Sequence, residues 1–342
     1  IGLRVIVGRK QACVASSDLS DQTIAQMAER AVLMAREAPE DATVGLADPS
    51  EIARDWDLAA FDLCDPADEP GAAALEADAR TAEAAALGVP GVTMPESASA
   101  SYRHRRVHMA ATNGFSGAYA RTSRSISAVA ISGEGLTMER DWAAESRVYQ
   151  SDLPDPTEVG LLAGQRAAGR AGPRKPRTGA YPVVYDERIA SGVIGHLMAA
   201  VNGSSIVRGS SWLRDALGQQ VLPAGLSVVE DPHRPRISGS RPFDDEGLAT
   251  RRREVVADGV LTGWTLDLGT ARRLGMQSTA SAGRGLSSPP SPSVSNIALT
   301  QGTRTRADLI AEMGTGLLIT SLIGSTINPT TGDYSRGASG FW

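Results

Sequence analysis

The chain has 342 residues, a formal net charge of −5, and a hydrophobic content of 42%. This length is enough for two or three domains, and the hydrophobic content allows a sizeable core and argues against wholesale disorder. The negative charge argues against a nucleic-acid-binding protein that relies on a basic surface. We therefore expect a globular protein that does not bind nucleic acid.

The cysteine content and the hydropathy pattern indicate the compartment. Cys13 and Cys64 are the two cysteines and can form at most one disulfide, which fits a reducing compartment. No apolar run approaches the roughly 18 residues that cross a bilayer, and no signal peptide is visible. These observations predict a cytoplasmic protein without membrane contact. The chain begins at Ile1 and stops at Trp342, so we expect a fragment of a longer protein.

A β-hairpin followed by a helix is predicted for residues 1–70. Two apolar-rich runs flank a short basic turn, which is typical of a hairpin. Ser20 or Asp21 can cap a helix whose apolar side chains recur on one face as far as about Glu37. The acidic, proline-containing remainder of this segment is interpreted as a connector with one short helix.

Residues 71–171 are predicted to form a central domain of a helix, three antiparallel strands and a second helix. The predicted strands cover residues 97–113, 118–133 and 136–145. Asp155 caps the second helix, with Pro156 at its first position. The proline-rich, basic residues 172–178 are predicted to be an interdomain linker.

Residues 179–342 are predicted to form a strand-rich C-terminal domain that is truncated at its end. A strand over residues 181–185 precedes a buried helix over residues 189–201. Asp258-Gly259 is a hairpin turn between a strand that ends near residue 257 and one that runs to residue 266. Because strand-rich and helix-rich pieces are segregated along the chain, we expect an α+β fold.

Four segments of this C-terminal part resemble the C-terminal domain of the TldD/PmbA family, a bacterial and archaeal family linked to zinc-dependent proteolysis. The segments are Ser238-Gly239-Ser240-Arg241-Pro242-Phe243-Asp244-Asp245-Glu246-Gly247, Ala271-Arg272-Arg273-Leu274-Gly275, Pro290-Ser291-Pro292-Ser293-Val294-Ser295-Asn296, and Asn328-Pro329-Thr330-Thr331-Gly332-Asp333-Tyr334-Ser335. Residues 2–41 and 76–171 resemble the N-terminal segment and the central domain of the same family. The joint order of these pieces over most of the chain carries the resemblance.

The resemblance implies that a helix early in the C-terminal domain decides the subunit type. In the TldD-type subunit this helix carries His-Glu-x-x-x-His, in which two imidazoles bind Zn²⁺ and the Glu activates the bound water. The matching stretch here places His196 at the first His, Leu197 at the Glu, and Val201 at the second His. One imidazole without a companion ligand makes a poor zinc site, so we interpret His196 as a packed or partner-facing residue.

The other histidines and Cys64 are also predicted to lie outside any metal site. His104 and His108 have an i, i+4 spacing, which brings two ligands together on a helix. Their context indicates a strand, where residues four apart are separated by about 13 Å. We expect both to be surface residues and His233 to be solvated in its loop. The acidic connector around Cys64 disfavours a reactive thiolate.

The acidic residues Asp244, Asp245 and Glu246 allow two interpretations. They can supply oxygen ligands or general acid/base groups, or they can bond main-chain N–H groups and neighbours such as Arg241. The second interpretation is favoured, and Asp333 has the same ambiguity. No nucleophile elbow or phosphate-binding loop occurs, so we assign no catalytic, cofactor-binding or metal-ligating residue to this chain.

The resemblance therefore implies a PmbA/TldE-type subunit without the zinc motif, with no cofactor of its own. Its expected partner is a TldD-like chain that brings the zinc, and the expected substrate is an unfolded peptide in proteolysis or peptide maturation. A homodimer through the same surface stays open. The alternative function is a regulatory protein-binding module of the gyrase-modulator type with no proteolytic role.

Overall fold

The computed structural model describes the main chain of residues 1–342 and all side chains except those of Ser325 and Thr326. The chain combines helices with mainly antiparallel sheets, and the C-terminal part is rich in strands. The predicted α+β fold class is therefore confirmed. Within the described residues, no helix is long and apolar enough to cross a membrane.

The N-terminal segment is a hairpin covered by one helix. β1 (Gly2–Val7) pairs with the antiparallel β2 (Lys10–Ala15). α1 (Asp21–Glu37) begins where the Ser20 hydroxyl accepts a hydrogen bond from the main-chain N–H of Thr23. The predicted hairpin and helix cap are both confirmed.

The connector after α1 packs on distant parts of the chain. It contains the short helix α2 (Leu58–Phe61). The main-chain N–H of Ala53 donates to the carbonyl of Gly247 at 2.8 Å, and the side-chain amide of Asn113 donates to the carbonyl of Ala47 at 3.0 Å. Ala47 and Ala53 belong to a buried hydrophobic cluster, whose other members are Ile52, Phe115, Phe243, Leu248 and Leu268.

The central domain is a three-stranded antiparallel sheet covered by two helices. The strands, in their order across the sheet, are β3 (Val92–Ala110), β4 (Ser116–Ser132) and β5 (Glu139–Arg147). The helices are α3 (Ala72–Leu87) and α4 (Pro156–Gly169). They approach closely, because a Cβ atom on Gly160 would lie 2.1 Å from the carbonyl oxygen of Ala82. Glycine is therefore required at this contact.

The C-terminal domain contains four helices and nine strands among the described residues. The helices are α5 (Glu187–Ala200), α6 (Gly203–Val207), α7 (Leu268–Leu274) and α8 (Arg306–Met313). The strands are β6 (Val183–Tyr185), β7 (Val228–Glu230), β8 (Arg253–Ala257), β9 (Val260–Leu261), β10 (Ala282–Gly283), β11 (Ser291–Pro292), β12 (Ile297–Leu299), β13 (Leu317–Ile327) and β14 (Tyr334–Phe341).

Three sheets organise these strands. One has the order β12-β7-β8-β9, the second has the order β14-β13-β6, and the third pairs β10 with β11. β6 lies parallel to β13, whereas the other pairings are antiparallel. The first sheet and α5 enclose the main core of the domain, which includes Val201, Val228, Val255, Val256 and Leu261.

Several element boundaries differ from the predictions. The second strand of the hairpin at Asp258-Gly259 was predicted to reach residue 266, but β9 ends at Leu261. Beyond β9 the chain turns toward the end of α5, where the N–H of Thr265 donates to the carbonyl of Val201. β3 begins earlier than predicted and tolerates Pro95 at a bulge in this edge strand.

Candidate functional site

α5, the helix at the position of the family's zinc motif, is fixed at its start by charged groups. Its N-cap is Asp186, whose carboxylate accepts from the main-chain N–H of Arg188. The guanidinium of Arg188 also donates to the buried carboxylate of Asp141 in β5 at 2.7 Å. Arg170, the C-cap residue of α4, donates to the second oxygen of the same carboxylate at 2.7 Å. The central domain therefore sets the position of α5.

Two of the three motif positions, one on α5 and one at its C-cap, face the hydrophobic core. Leu197 is 7% exposed and Val201 is fully buried, and both belong to the core cluster between α5 and the sheet that contains β8. Aliphatic side chains in these positions have no donor atom for a metal. The helix was predicted to be buried, but several of its residues, including Ser191 and Gly195, are exposed.

His196, at the first motif position, packs against the strand β14. Its ring makes an edge-to-face contact with Tyr334, with 5.5 Å between the ring centroids. Burial and the nearby cation of Arg336 lower the pKa of His196, which favours the neutral ring. Its Nε2 atom is buried and has no hydrogen-bond partner among the described residues. His196 is therefore a packed residue within this chain.

The remaining histidines are spread over distant surfaces. His104 and His108 are exposed on β3, where they lie opposite Thr122 and Ala118 of β4. The extended conformation predicted for this segment is thus confirmed. His233 is exposed but not freely solvated, because its Nε2 lies 3.1 Å from the hydroxyl of Thr250 and its ring contacts Phe61.

The donor atoms of the described side chains do not converge on a metal-binding geometry. No group of three or more His, Cys, Asp or Glu side chains that could hold a metal ion occurs among the described residues. Cys64 is exposed, with its sulfur 4.0 Å from the Nε2 of His104, and Cys13 is a separate free cysteine. Asp333 lies in an exposed turn, where its carboxylate accepts from the hydroxyl of Thr331 at 2.6 Å.

The acidic residues at 244–246 bond main-chain N–H groups, which is the interpretation the sequence favoured. Asp244 is fully buried and accepts from the N–H groups of Glu246, Leu248 and Ala282, each at 3.0 Å. Asp245 accepts from a further main-chain N–H at 2.6 Å. Arg241, named as their partner, instead donates to main-chain carbonyls. These carboxylates therefore hold the loop together.

Burial raises the pKa values of two of these acids. Burial raises the pKa of Asp244 to about 6, although the three main-chain hydrogen bonds act to lower it. Burial, with the neighbouring carboxylates of Asp244 and Asp267, raises the pKa of Glu246 to about 8, although it accepts from the N–H of Leu268. Glu246 also borders two cavities of about 270 and 350 Å³ beside β1.

A groove that the sequence did not reveal runs between α5 and the segment that contains β12. It has a volume of about 830 Å³. One wall is formed by small or apolar side chains that recur with helical spacing on α5, namely Ala190, Ser191, Ile194, Gly195, Met198 and Ala199, followed by Asn202 at the start of α6. The opposite wall is formed by residues 292–301 except Asn296, and Arg234 also lines the groove. His196, Leu197 and Val201 do not line it.

Comparison with protein families assigns the chain. It matches the PmbA/TldA metallopeptidase domain 1 over residues 1–35, the central domain over residues 65–171 and the C-terminal domain over residues 178–342. These matches cover most of the chain in the order expected of the family. The chain therefore belongs to the TldD/PmbA family.

Relatives within the family indicate the branch. The chain is 36% identical over 342 residues to the metalloprotease PmbA of Escherichia coli O157:H7, covering 100% of this chain and 74% of that protein. It is 34% identical over 348 residues to the metalloprotease PmbA homolog of Haemophilus influenzae, with the same coverage. The metalloprotease TldD homolog of the same organism matches at 27% identity over 142 residues, which is 41% of this chain and 29% of that protein. The similarity is thus greater to the PmbA type.

A solved structure supports the architecture. A crystal structure of a Bacteroides thetaiotaomicron protein, named as a candidate modulator of DNA gyrase, superposes with a TM-score of 0.86 at 27% sequence identity. The superposition covers 99% of this chain and 75% of that protein. The arrangement of the three parts of the chain is therefore that of a solved structure.

Proposed function

We propose that this chain is the PmbA/TldE-type subunit of a two-subunit zinc metalloprotease and that it carries no catalytic metal itself. The observation that carries the proposal is the orientation of α5. Leu197 and Val201 occupy two of the three motif positions and lie in the hydrophobic core. His196 alone retains a donor atom there, and it packs on Tyr334.

The proposed partner is a TldD-like chain that supplies the zinc and the Glu that activates water. Zinc in such a subunit polarises the scissile carbonyl and lowers the pKa of its bound water. This chain would complete an enclosed chamber and help to admit an unfolded peptide, in proteolysis or in peptide maturation. Such a complex acts in the cytoplasm and needs neither nucleic acid nor a membrane. The greater similarity to PmbA-type relatives supports this role.

Reconstitution tests the proposal. The purified chain, the purified TldD-like chain and their mixture are compared for zinc content and for cleavage of an unfolded peptide. We expect the peptidase activity to require the zinc-bearing chain and to rise on addition of this one, and we expect the two chains to co-purify. Peptide cleavage by this chain alone, or a homodimer that excludes the partner, would contradict the proposal.

A second function follows from the description of the Bacteroides thetaiotaomicron protein as a candidate modulator of DNA gyrase. In that case the chain is a regulatory binding module without a proteolytic role. Co-purification from cell extract separates the two functions, since the first requires a TldD-like chain in the complex and the second requires gyrase.

A further inference from the structure

The groove between α5 and β12 contains an unpaired strand edge. β12 is the terminal strand of its sheet and pairs only with β7 among the described strands. The carbonyl of Asn296 and the N–H of Thr300 bond to residues that flank β7, each at 2.9 Å. Because main-chain groups alternate in direction along an antiparallel strand, those of Ile297 and Leu299 point away from β7. Both residues line the groove, so their hydrogen-bonding groups are available to an occupant there.

The opposite wall allows a polypeptide main chain to approach closely. Ser191, Gly195 and Ala199 lie one turn apart on α5, and their side chains are small. A Cβ atom built on Gly195 meets no atom within 4 Å, so the space in front of it is open. A groove with a free strand edge on one side and small side chains on the other suits an added β-strand.

One charged residue lines this groove near the start of β12. Arg234 is the one charged residue among the described groove-lining residues. The residue is exposed, and its side chain forms no ion pair or hydrogen bond with a described residue. Its main chain is fixed by Ser240, whose hydroxyl donates to the Arg234 carbonyl at 2.6 Å. The same hydroxyl accepts from the side chain of Asn296 at 2.7 Å. Arg234 therefore stands beside the residue that precedes β12.

We propose that the groove binds the C-terminal end of an extended peptide, antiparallel to β12, with the peptide's terminal carboxylate on Arg234. Antiparallel pairing places the end of the peptide next to the start of β12, which is the end that Arg234 marks. An Arg guanidinium matches a carboxylate in geometry and charge. The main-chain groups of Ile297 and Leu299 bind any sequence, so the selectivity is for a free C-terminus. This inference rests on the proposed function for its choice of a peptide as the occupant.

Fluorescence anisotropy tests the inference on the full chain. The probe is the pentapeptide Val-Ala-Val-Ala-Val with a fluorophore on its N-terminus, as the free acid and as the C-terminal amide. We expect amidation to weaken binding about tenfold, the size of one charge-assisted hydrogen bond. Arg234→Gln should weaken binding of the free acid by a similar factor and should remove the difference between acid and amide. Arg103→Gln, at an exposed position of β3, is the charge-matched control and should leave both affinities unchanged.

A pair of glycine variants tests the location. Gly195→Leu places a side chain in the groove, whereas Gly192→Leu changes the same helix outside the groove, and a Cβ atom meets no atom within 4 Å at either position. We expect only Gly195→Leu to abolish binding. Equal binding of acid and amide, equal effects of the two glycine variants, or no binding of either peptide would overturn the inference. None of these outcomes bears on zinc content or on activation of the partner, so the subunit role is judged separately by reconstitution.

Discussion

The carboxylate of Asp141 in β5 accepts a hydrogen bond from the guanidinium of Arg188 in α5 at 2.7 Å, and this ion pair joins the central domain to the helix that forms one wall of the groove. Asp141 also pairs with Arg170, and its side chain is 2% exposed. One buried carboxylate is therefore shared by two arginines at the domain boundary, and its loss leaves, among the described side chains, Arg170 without a paired carboxylate and Arg188 paired with Asp186 alone.

Asp141→Asn is expected to destabilise the protein by about 3 kcal/mol, because it removes the buried carboxylate that two arginines share and leaves the guanidinium of Arg170 unpaired among the described residues. Urea unfolding measures this change. Glu96→Gln is the control, since Glu96 pairs with Arg140 at the surface and its loss should cost less than about 1 kcal/mol. Similar losses in the two variants would show that the Asp141 cluster does not hold the domains together.

Glu246 should make the protein less stable as the pH rises. Its pKa in the folded protein is about 8, above the ordinary value of 4.5. The contribution of the protonated side chain to stability is therefore fully present below pH 4.5 and is lost as the pH rises through 8. The free energy of unfolding should fall by up to about 1.4 kcal/mol per pH unit in this window. Asp244 adds to the fall only up to about pH 6.

Glu246→Gln keeps an acceptor for the N–H of Leu268 and removes this titration. We expect the variant to be more stable than the native chain at pH 8, with a smaller difference at pH 5, as measured by denaturant unfolding at both pH values. Glu254→Gln, at an exposed position of β8, should follow the native pH dependence. A native stability that rises from pH 5 to pH 8 through Glu246 would contradict the assignment.

His196→Phe should preserve the function and stabilise the fold. The phenyl ring keeps the edge contact with Tyr334. The change also removes a buried nitrogen that lacks a partner among the described residues, which should raise the free energy of unfolding by about 1 kcal/mol. Because the pKa of His196 is lowered in the folded protein, the contribution of the neutral ring to stability is present at neutral pH and is lost as the pH falls through the folded pKa. The phenylalanine variant should therefore also resist acid better.

Thermal unfolding and the peptidase rate of the reconstituted complex check this prediction. His196→Ala is the matched variant, since it loses the ring contact and should be less stable than His196→Phe. A complex whose zinc content or activity falls in both variants would show that His196 binds the metal.

Both Gly192→Leu and Gly195→Leu should raise the free energy of unfolding by about 0.5–1 kcal/mol, because glycine in a helix interior costs that much relative to good helix formers. Both positions are exposed on α5 and have room for a side chain. Chemical denaturation measures the gain. A loss of stability in Gly195→Leu would mean that the groove is already filled by this chain.

Elements with local signals could be predicted from the sequence. The capping residues Ser20, Asp155 and Thr305 mark the starts of α1, α4 and α8, and in each case the side chain bonds a main-chain N–H that would otherwise lack a partner. The meander of the central domain follows from its alternating strands and turns. α7 was missed although it carries such signals, since Asp267 caps its start and Gly275 ends it in a left-handed conformation.

The groove could not be predicted, because it depends on contacts between distant parts of the chain. β12 has three residues, too few for a period-2 pattern, and its edge position follows from pairing with β7 far earlier in the sequence. The role proposed for Arg234 depends on Ser240 and Asn296, which come together only in the fold. The motif positions of α5, in contrast, could be judged from residue type alone, since Leu197 and Val201 offer no metal donor.

Zinc analysis of the separately purified chain and of its complex with a TldD-like chain, combined with a peptidase assay on the same samples, tests the subunit role most directly. We predict substoichiometric zinc and no cleavage for this chain alone, and one zinc per pair of chains with cleavage for the complex. Stoichiometric zinc bound to this chain alone, together with peptide cleavage, would contradict the account.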